Sequence, residues 1–174
     1  MSNLEARLKS VIRDVPDFPK PGIVFKDITP VLADPGLLRE VTAYFAERYA
    51  GQVDAVVGME SRGFIFGTPI ALALNAAFVP ARKPGKLPYE RISEEYALEY
   101  GTARLDMHID AVKPGQRVLI VDDLIATGGT AAATARLVER LGGVVVGMAF
   151  VIELTFLPGR AVLAPHAVES LVRY

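Results

Sequence analysis

The stretch Val118-Leu119-Ile120-Val121-Asp122-Asp123-Leu124-Ile125-Ala126-Thr127-Gly128-Gly129-Thr130 constrains this chain more than any other. Its first four residues are apolar and mostly β-branched, as expected of a strand buried on both faces of a parallel sheet. The two adjacent carboxylates are expected at the carboxyl edge of that strand. A loop of small residues follows, and then Ala131 to Leu141, rich in helix formers. Strand, glycine loop and helix start together make an anion site. The glycines admit a ligand close to the backbone, while free N–H groups and the positive end of the helix dipole favour a phosphate. A side chain at Gly129 is expected to clash there or to forbid the needed dihedrals. In open α/β sheets ligands bind beyond the carboxyl ends of the strands, where this loop belongs.

Asp122 and Asp123 would repel a phosphate. They are therefore expected to face sugar hydroxyls, or a metal ion carried by the ligand. A monophosphate cradle one step from an acidic pair describes a ribose 5-phosphate site. An Asp pair that merely caps a loop is the plainer alternative, but strand, acids, loop and helix in register weigh against it.

Asp122 to Thr130 resembles the phosphoribosyl-diphosphate (PRPP) signature of the type I phosphoribosyltransferases. Further segments resemble the adenine phosphoribosyltransferase family within that group. They are Asp17-Phe18-Pro19 with Pro21 to Ile28, Glu60-Ser61-Arg62-Gly63-Phe64, Arg82-Lys83-Pro84-Gly85-Lys86-Leu87-Pro88, and Leu98-Glu99-Tyr100-Gly101. The resemblance implies a doubly wound, mainly parallel α/β sheet forming one domain over 1–174. It adds a small N-terminal hood over 1–33 and a mobile lid over 83–99. The implied reaction moves a 5-phosphoribosyl group from PRPP to N9 of adenine, giving AMP and pyrophosphate.

The resemblance also assigns residues. PRPP would be held by Ser61, Arg62, Lys83, Tyr100, Asp122, Asp123, Ala126, Thr127, Gly128, Gly129 and Thr130. Phe25 and Leu154 would sandwich adenine, with the backbone of Val24 and Lys26 on its N6 and N1 edge. The catalytic groups would be Glu99, Arg62, Asp122 and Asp123, with Glu99 brought to N7 by the lid as proton carrier. Mg2+ would be held mainly by PRPP itself, with no direct protein ligand. A non-proline cis peptide is expected between Glu60 and Ser61. A 6-oxopurine enzyme would be expected to place a lysine near Glu153-Leu154-Thr155, and none stands there. A PRPP-sensing DNA-binding regulator would need a winged-helix module and a basic face, which a formal net charge of −1 does not supply.

The rest of the chain fits one enzyme domain. With 174 residues it can bury a sizeable core. No long basic or acidic run points to nucleic acid or a membrane surface. Cysteine is absent, which excludes disulfides and thiolate zinc sites. Neither a signal peptide nor a bilayer-spanning stretch is evident, so a cytoplasmic protein is expected. His108 and His166 have no metal-ligand partner at useful spacing.

Apolar periodicity predicts a helix over 2–13 and, after the cap Asp34-Pro35, another to about Tyr49. Buried strands are expected over 53–58, 76–81 and 144–152, and a helix over 63–74. That last helix is apolar nearly all round, which suggests burial against the sheet and against a second subunit, hence a homodimer. Gly58-Xaa4-Gly63 is half a phosphate-binding motif of the nucleoside triphosphatases, but Phe64 stands where its lysine belongs. The prolines of 16–21 are expected to forbid regular structure, and 88–95 to be polar and mobile. A hairpin is expected to turn around Gly101-Thr102, with Arg104, Asp106 and His108 on its polar face.

Overall fold

The computed structural model describes residues 2–97 and 101–174. Helix α1 (Ser2–Val11) leads into a two-stranded antiparallel hood, β1 (Arg13–Pro16) with β2 (Val24–Asp27). The prolines therefore stand in and beside a short ladder rather than preventing one. They sit at its end and in its loop, where a missing N–H costs the ladder little. Helix α2 (Thr29–Leu32) and α3 (Pro35–Arg48) follow. The side chain of Asp34 accepts from the N–H groups of Gly36 and Leu37 and so caps α3 as its sequence predicts.

Strand β3 (Ala55–Met59), α4 (Arg62–Ala73) and β4 (Ala77–Ala81) make the first crossover unit. After the β5 (Arg91–Ala97) and β6 (Thr102–His108) hairpin come β7 (Arg117–Ile125), α5 (Gly129–Arg140), β8 (Val144–Glu153), α6 (Gly159–Val162) and β9 (Val168–Arg173). The main sheet has the order β4-β3-β7-β8-β9, and every neighbouring pair in it is parallel. Sequence periodicity did not signal β9. Its Glu169 and Ser170 interrupt the apolar run because they satisfy partners beside the strand.

Two cores flank the sheet. On one face Leu8, Val31, Phe45, Phe66 and Ile70 of α1 to α4 pack on Leu119, Val121 and Val151. On the other, Ala133, Leu137 and Val138 of α5, with Leu105 and Met107 of β6, cover Ile120, Met148 and Phe150. Strands buried on both faces read as continuous apolar runs, and those of β3, β7 and β8 do. From β3 the chain goes outward to β4, whereas from β7 it goes the other way to β8. The switch point of the sheet thus lies between β3 and β7, and a ligand crevice is expected beyond their carboxyl ends.

The segment 88–95 is not simply a polar loop. Arg91–Ala97 forms a full strand against β6, with Ile92 and Tyr96 packed on the second core. Its Glu94 accepts from Arg136 and Arg140 of α5, so it does not lie on a solvated face. The expected polar face of β6 is corrected too. Asp106 is fully buried, accepts from the Ser93 hydroxyl at 2.7 Å, and is flanked by Arg91 and Arg104. Residues 98 and 99 of the expected lid, and Tyr100, lie outside the described residues.

Candidate active site

The crevice at the switch point is built from two connections. One leaves β3 through Glu60-Ser61 into α4, and the other is the end of β7 with its loop into α5. The acids lie near the carboxyl edge of β7, as the sequence suggests, but still inside it: the strand continues through Asp122 and Asp123 to Ile125. Leu124 and Ile125 keep pairing with β8, so the ladder holds both carboxylates on a rigid element.

Beside them a cavity of about 110 Å³ is lined by Asp122, Ala126, Thr127, Gly128, Gly129 and Thr130 among others. Gly128 caps α5 with φ +81°, a left-handed conformation that side chains disfavour. A Cβ there would stand 2.7 Å from the carbonyl oxygen of Gly159. The residue that must be glycine for conformational reasons is therefore Gly128, while Gly129 is already the first residue of the helix. The opening N–H groups of α5 line this cavity, which gives the cradle its anion-binding character.

Close packing places α4 against β7. A Cβ on Gly63 would meet the Val121 carbonyl oxygen at 2.6 Å and a carboxylate oxygen of Asp122 at 3.1 Å. The glycine spacing that looked like half a triphosphatase motif is thus a packing requirement. Burial pushes the Asp122 carboxyl well above its usual range, and the neighbouring Asp123 charge pushes it further. Asp123 is only 4 % exposed, yet its Oδ2 lies 2.6 Å from Nε of Arg62. The Arg62 guanidinium also lies 5.6 Å from the centroid of the Phe25 ring, so the hood, α4 and β7 meet at this one side chain. Phe18 stands edge-on to Phe25 with ring centroids 5.2 Å apart.

The peptide between Glu60 and Ser61 is cis, as expected from the resemblance. Sequence reasoning missed what Glu60 does. Its carboxylate accepts from Nε and Nη2 of Arg82 and, at 2.9 Å, from the Lys83 N–H. Arg82 holds that carboxyl below its ordinary range. Glu60 therefore ties the connection after β3 to the start of the Lys83 segment. A lone acid at the end of an apolar strand was the available signal.

Leu154 follows β8, donates its N–H to the Ile125 carbonyl and packs at the edge of the first core. Val24 is half exposed on β2, with Phe25 and Lys26 partly buried beside it. Lys83 is exposed. The structure thus brings Ser61, Arg62, Asp122, Asp123 and the 126–130 loop into one crevice, with Phe25 at its hood side. Glu99 and Tyr100 lie outside the described residues.

Comparison with known proteins agrees with this geometry. The profile of the phosphoribosyl transferase domain matches residues 28–156. The adenine phosphoribosyltransferase of Myxococcus xanthus (strain DK1622) is 58 % identical over 174 residues, covering 99 % of this chain and 95 % of that protein. The crystal structure of the adenine phosphoribosyltransferase from Rhodothermus marinus DSM 4252 superposes with a TM-score of 0.94 at 56 % identity, with all of both chains covered. The Saccharomyces cerevisiae adenine phosphoribosyltransferase, complexed with an imino-altritol bisphosphate and adenine, gives 0.92 at 41 % identity, covering 98 % of this chain and 99 % of that one. Likeness of this extent, across the whole chain and in both sequence and fold, places the chain in the phosphoribosyltransferase family, among the adenine phosphoribosyltransferases.

Proposed function

We propose that the chain transfers the 5-phosphoribosyl group of PRPP to N9 of adenine and releases AMP and pyrophosphate, a purine-salvage reaction. The observation that carries this reading is the Gly128 cradle standing beside Asp122 and Asp123 at the sheet's switch point. A 5-phosphate in the cradle puts the ribose hydroxyls within the domain of the two acids. The bond from C1′ to pyrophosphate then breaks with positive charge growing on the ribose, which nearby carboxylates stabilise. Arg62 and Lys83 supply fixed positive charge for the leaving pyrophosphate, and the amides around Ser61 cradle it. Adenine lies between Phe25 and Leu154, with its N6 and N1 edge on the backbone of Val24 and Lys26. Glu99 holds N7 and carries the proton released as N9 attacks.

Among the described residues no three His, Asp or Glu side chains gather as a metal-holding group. The Asp pair would grip the ribose hydroxyls rather than the metal, and the oxygen donors for Mg2+ would come mainly from PRPP, which suits a hard cation. When bound, Mg2+ neutralises charge on the pyrophosphate. Pairing of two copies through α4 is supported by its exposed Ile65 and Leu72, the latter 78 % exposed. A cytoplasmic location follows from the reading itself, because PRPP is too highly charged to cross a bilayer unaided. No helix among the described residues is long and apolar enough to cross one either.

The test is incubation with PRPP, Mg2+ and each purine base in turn, with separation of the products. AMP from adenine, and no nucleotide from hypoxanthine or guanine, is the expected outcome. Nucleotide from a 6-oxopurine instead would overturn the assignment of the base.

A further inference from the structure

Tyr174 lies outside the crevice, yet it touches both walls between which the base is proposed to sit. Its carbonyl oxygen accepts from the Thr155 N–H at 2.8 Å and from the Thr155 hydroxyl at 2.6 Å. Thr155 is the residue after Leu154. The Tyr174 N–H in turn donates to the carbonyl of Glu153 at 3.0 Å, so Tyr174 continues the β8–β9 ladder past its last paired residues. On the other side, the ammonium of Lys26 stands 3.9 Å from the centroid of the Tyr174 ring, while Nζ also meets Asp14 Oδ1 at 2.6 Å.

Strand alternation gives these contacts a direction. Side chains at successive strand positions point to opposite faces. Lys26 therefore leaves β2 on the face away from Phe25, and whatever grips Lys26 holds the back of the strand whose front presents Phe25. The Lys26 side chain is only 12 % exposed, so its ammonium is largely desolvated, where a cation on an aromatic face gains most. Burial also pushes the Tyr174 hydroxyl above its ordinary range, in keeping with a ring partly buried against the first core. The hood is a two-stranded ribbon, which is marginal by itself and needs an external anchor to hold a fixed angle.

We infer that Tyr174 is a positioning residue for base recognition, a strut that sets the spacing between the Phe25 wall and the Leu154 wall through Lys26 and Thr155. This rests on the proposed adenine site. It adds that base affinity is controlled from outside the crevice, by a residue that does not touch the base. The ring face and the backbone carbonyl supply the two grips, so the hydroxyl is dispensable.

Steady-state kinetics and amide hydrogen exchange test the strut together. Tyr174→Ala is expected to raise KM for adenine about tenfold, with KM for PRPP within about twofold, and Tyr174→Phe to behave as the parent. Lys26→Met should raise KM for adenine similarly, and Tyr174→Ala combined with it should add little further. Exchange should quicken at 24–27 and at Thr155 together in Tyr174→Ala. That readout needs no turnover, so it judges the strut even if the parent enzyme used another base. Equal rises in both KM values, additive single effects, or exchange quickening at only one of the two segments would overturn it. If Tyr174→Ala does not fold, Tyr174→Leu, which keeps bulk but not the aromatic face, takes its place with the same expected outcomes.

Discussion

Nε of Arg62 stands 2.6 Å from Oδ2 of Asp123, and this contact joins the first residue of α4 to the interior of β7. Two residues proposed to act on opposite ends of PRPP, the pyrophosphate and the ribose, are thus each other's partners. Arg62→Ala would strand a carboxylate that is 4 % exposed, and leaving a buried charge unpaired costs about 1–3 kcal/mol or more. The expected result is a lower Tm together with lost turnover. Adding Asp123→Asn should restore much of the Tm but none of the activity. Thermal unfolding and product assays on the three variants check both halves.

Asp122 presents the opposite case. Its folded pKa is raised, so the folded state binds a proton more readily than the unfolded chain. Stability from this group is present below the unfolded value of 3.8 and is lost as pH rises through the folded value. Asp122→Asn removes that penalty. It should raise Tm at neutral pH, with a gain that vanishes at acid pH, while weakening PRPP binding about tenfold or more. Unfolding curves from acid to neutral pH decide it; a Tm below the parent's at neutral pH would contradict the sign.

Much of the site could be read before the fold was known, because the PRPP loop is contiguous in sequence. Strand, acids, glycines and helix follow one another, and each constrains its neighbour. The parts that could not be read depend on partners distant in the chain. Polar composition alone made 88–95 a mobile stretch, whereas Arg136 and Arg140, more than a helix length away, hold the Glu94 carboxylate. Asp106 sat on an expected polar face, but Arg91 and Arg104 neutralise it at zero exposure. The β7 boundary was placed too early for a related reason. Strand ends are judged by apolar character, yet ladder bonds to β8 carry β7 through two charged residues.

In the phosphate cradle, backbone conformation separates two adjacent glycines. Gly128→Ala must hold a side chain at φ +81° with its Cβ 2.7 Å from a carbonyl oxygen of Gly159. The left-handed conformation alone costs about 1–2 kcal/mol. PRPP affinity should fall at least tenfold in a folded protein. Gly129→Ala, at the first helical position, should be milder. Calorimetric titration of both with PRPP provides the comparison, and a milder Gly128→Ala would reverse the assignment.

Glu153 is a structural acid despite lying at the carboxyl end of β8. It accepts from Nε and Nη2 of Arg160 and from the Ser170 hydroxyl, and the Arg160 contact lowers its pKa to about 2. A depressed folded pKa contributes stability above the unfolded value of 4.5, and that contribution disappears as pH falls towards 2. Glu153→Gln should therefore destabilise the fold at neutral pH by about 2 kcal/mol, the scale of charged hydrogen bonds. Its unfolding curve should converge with the parent's between pH 4.5 and 2. A constant offset across that window would show that shape rather than charge holds Arg160.

The proton step is proposed to rest on Glu99, which lies outside the described residues and is assigned by its place in Leu98-Glu99-Tyr100-Gly101. As N9 attacks C1′, the imidazole part of adenine gains positive charge, and a carboxyl at N7 holds the reactive tautomer and takes up the proton. Glu99→Gln keeps size and hydrogen bonding but cannot carry a proton. Turnover should drop by about 10²–10⁴, the usual contribution of a general acid–base group, with PRPP affinity nearly unchanged. The choice of control follows from the structure. Glu94 holds the hairpin to α5 through two arginines, so its substitution would disturb β5 itself. Glu95 is exposed on the same strand and has the same charge, and Glu95→Gln should leave single-turnover rates within about twofold of the parent. Single-turnover measurement isolates chemistry from product release. A Glu99→Gln rate close to that of Glu95→Gln would move the proton carrier elsewhere.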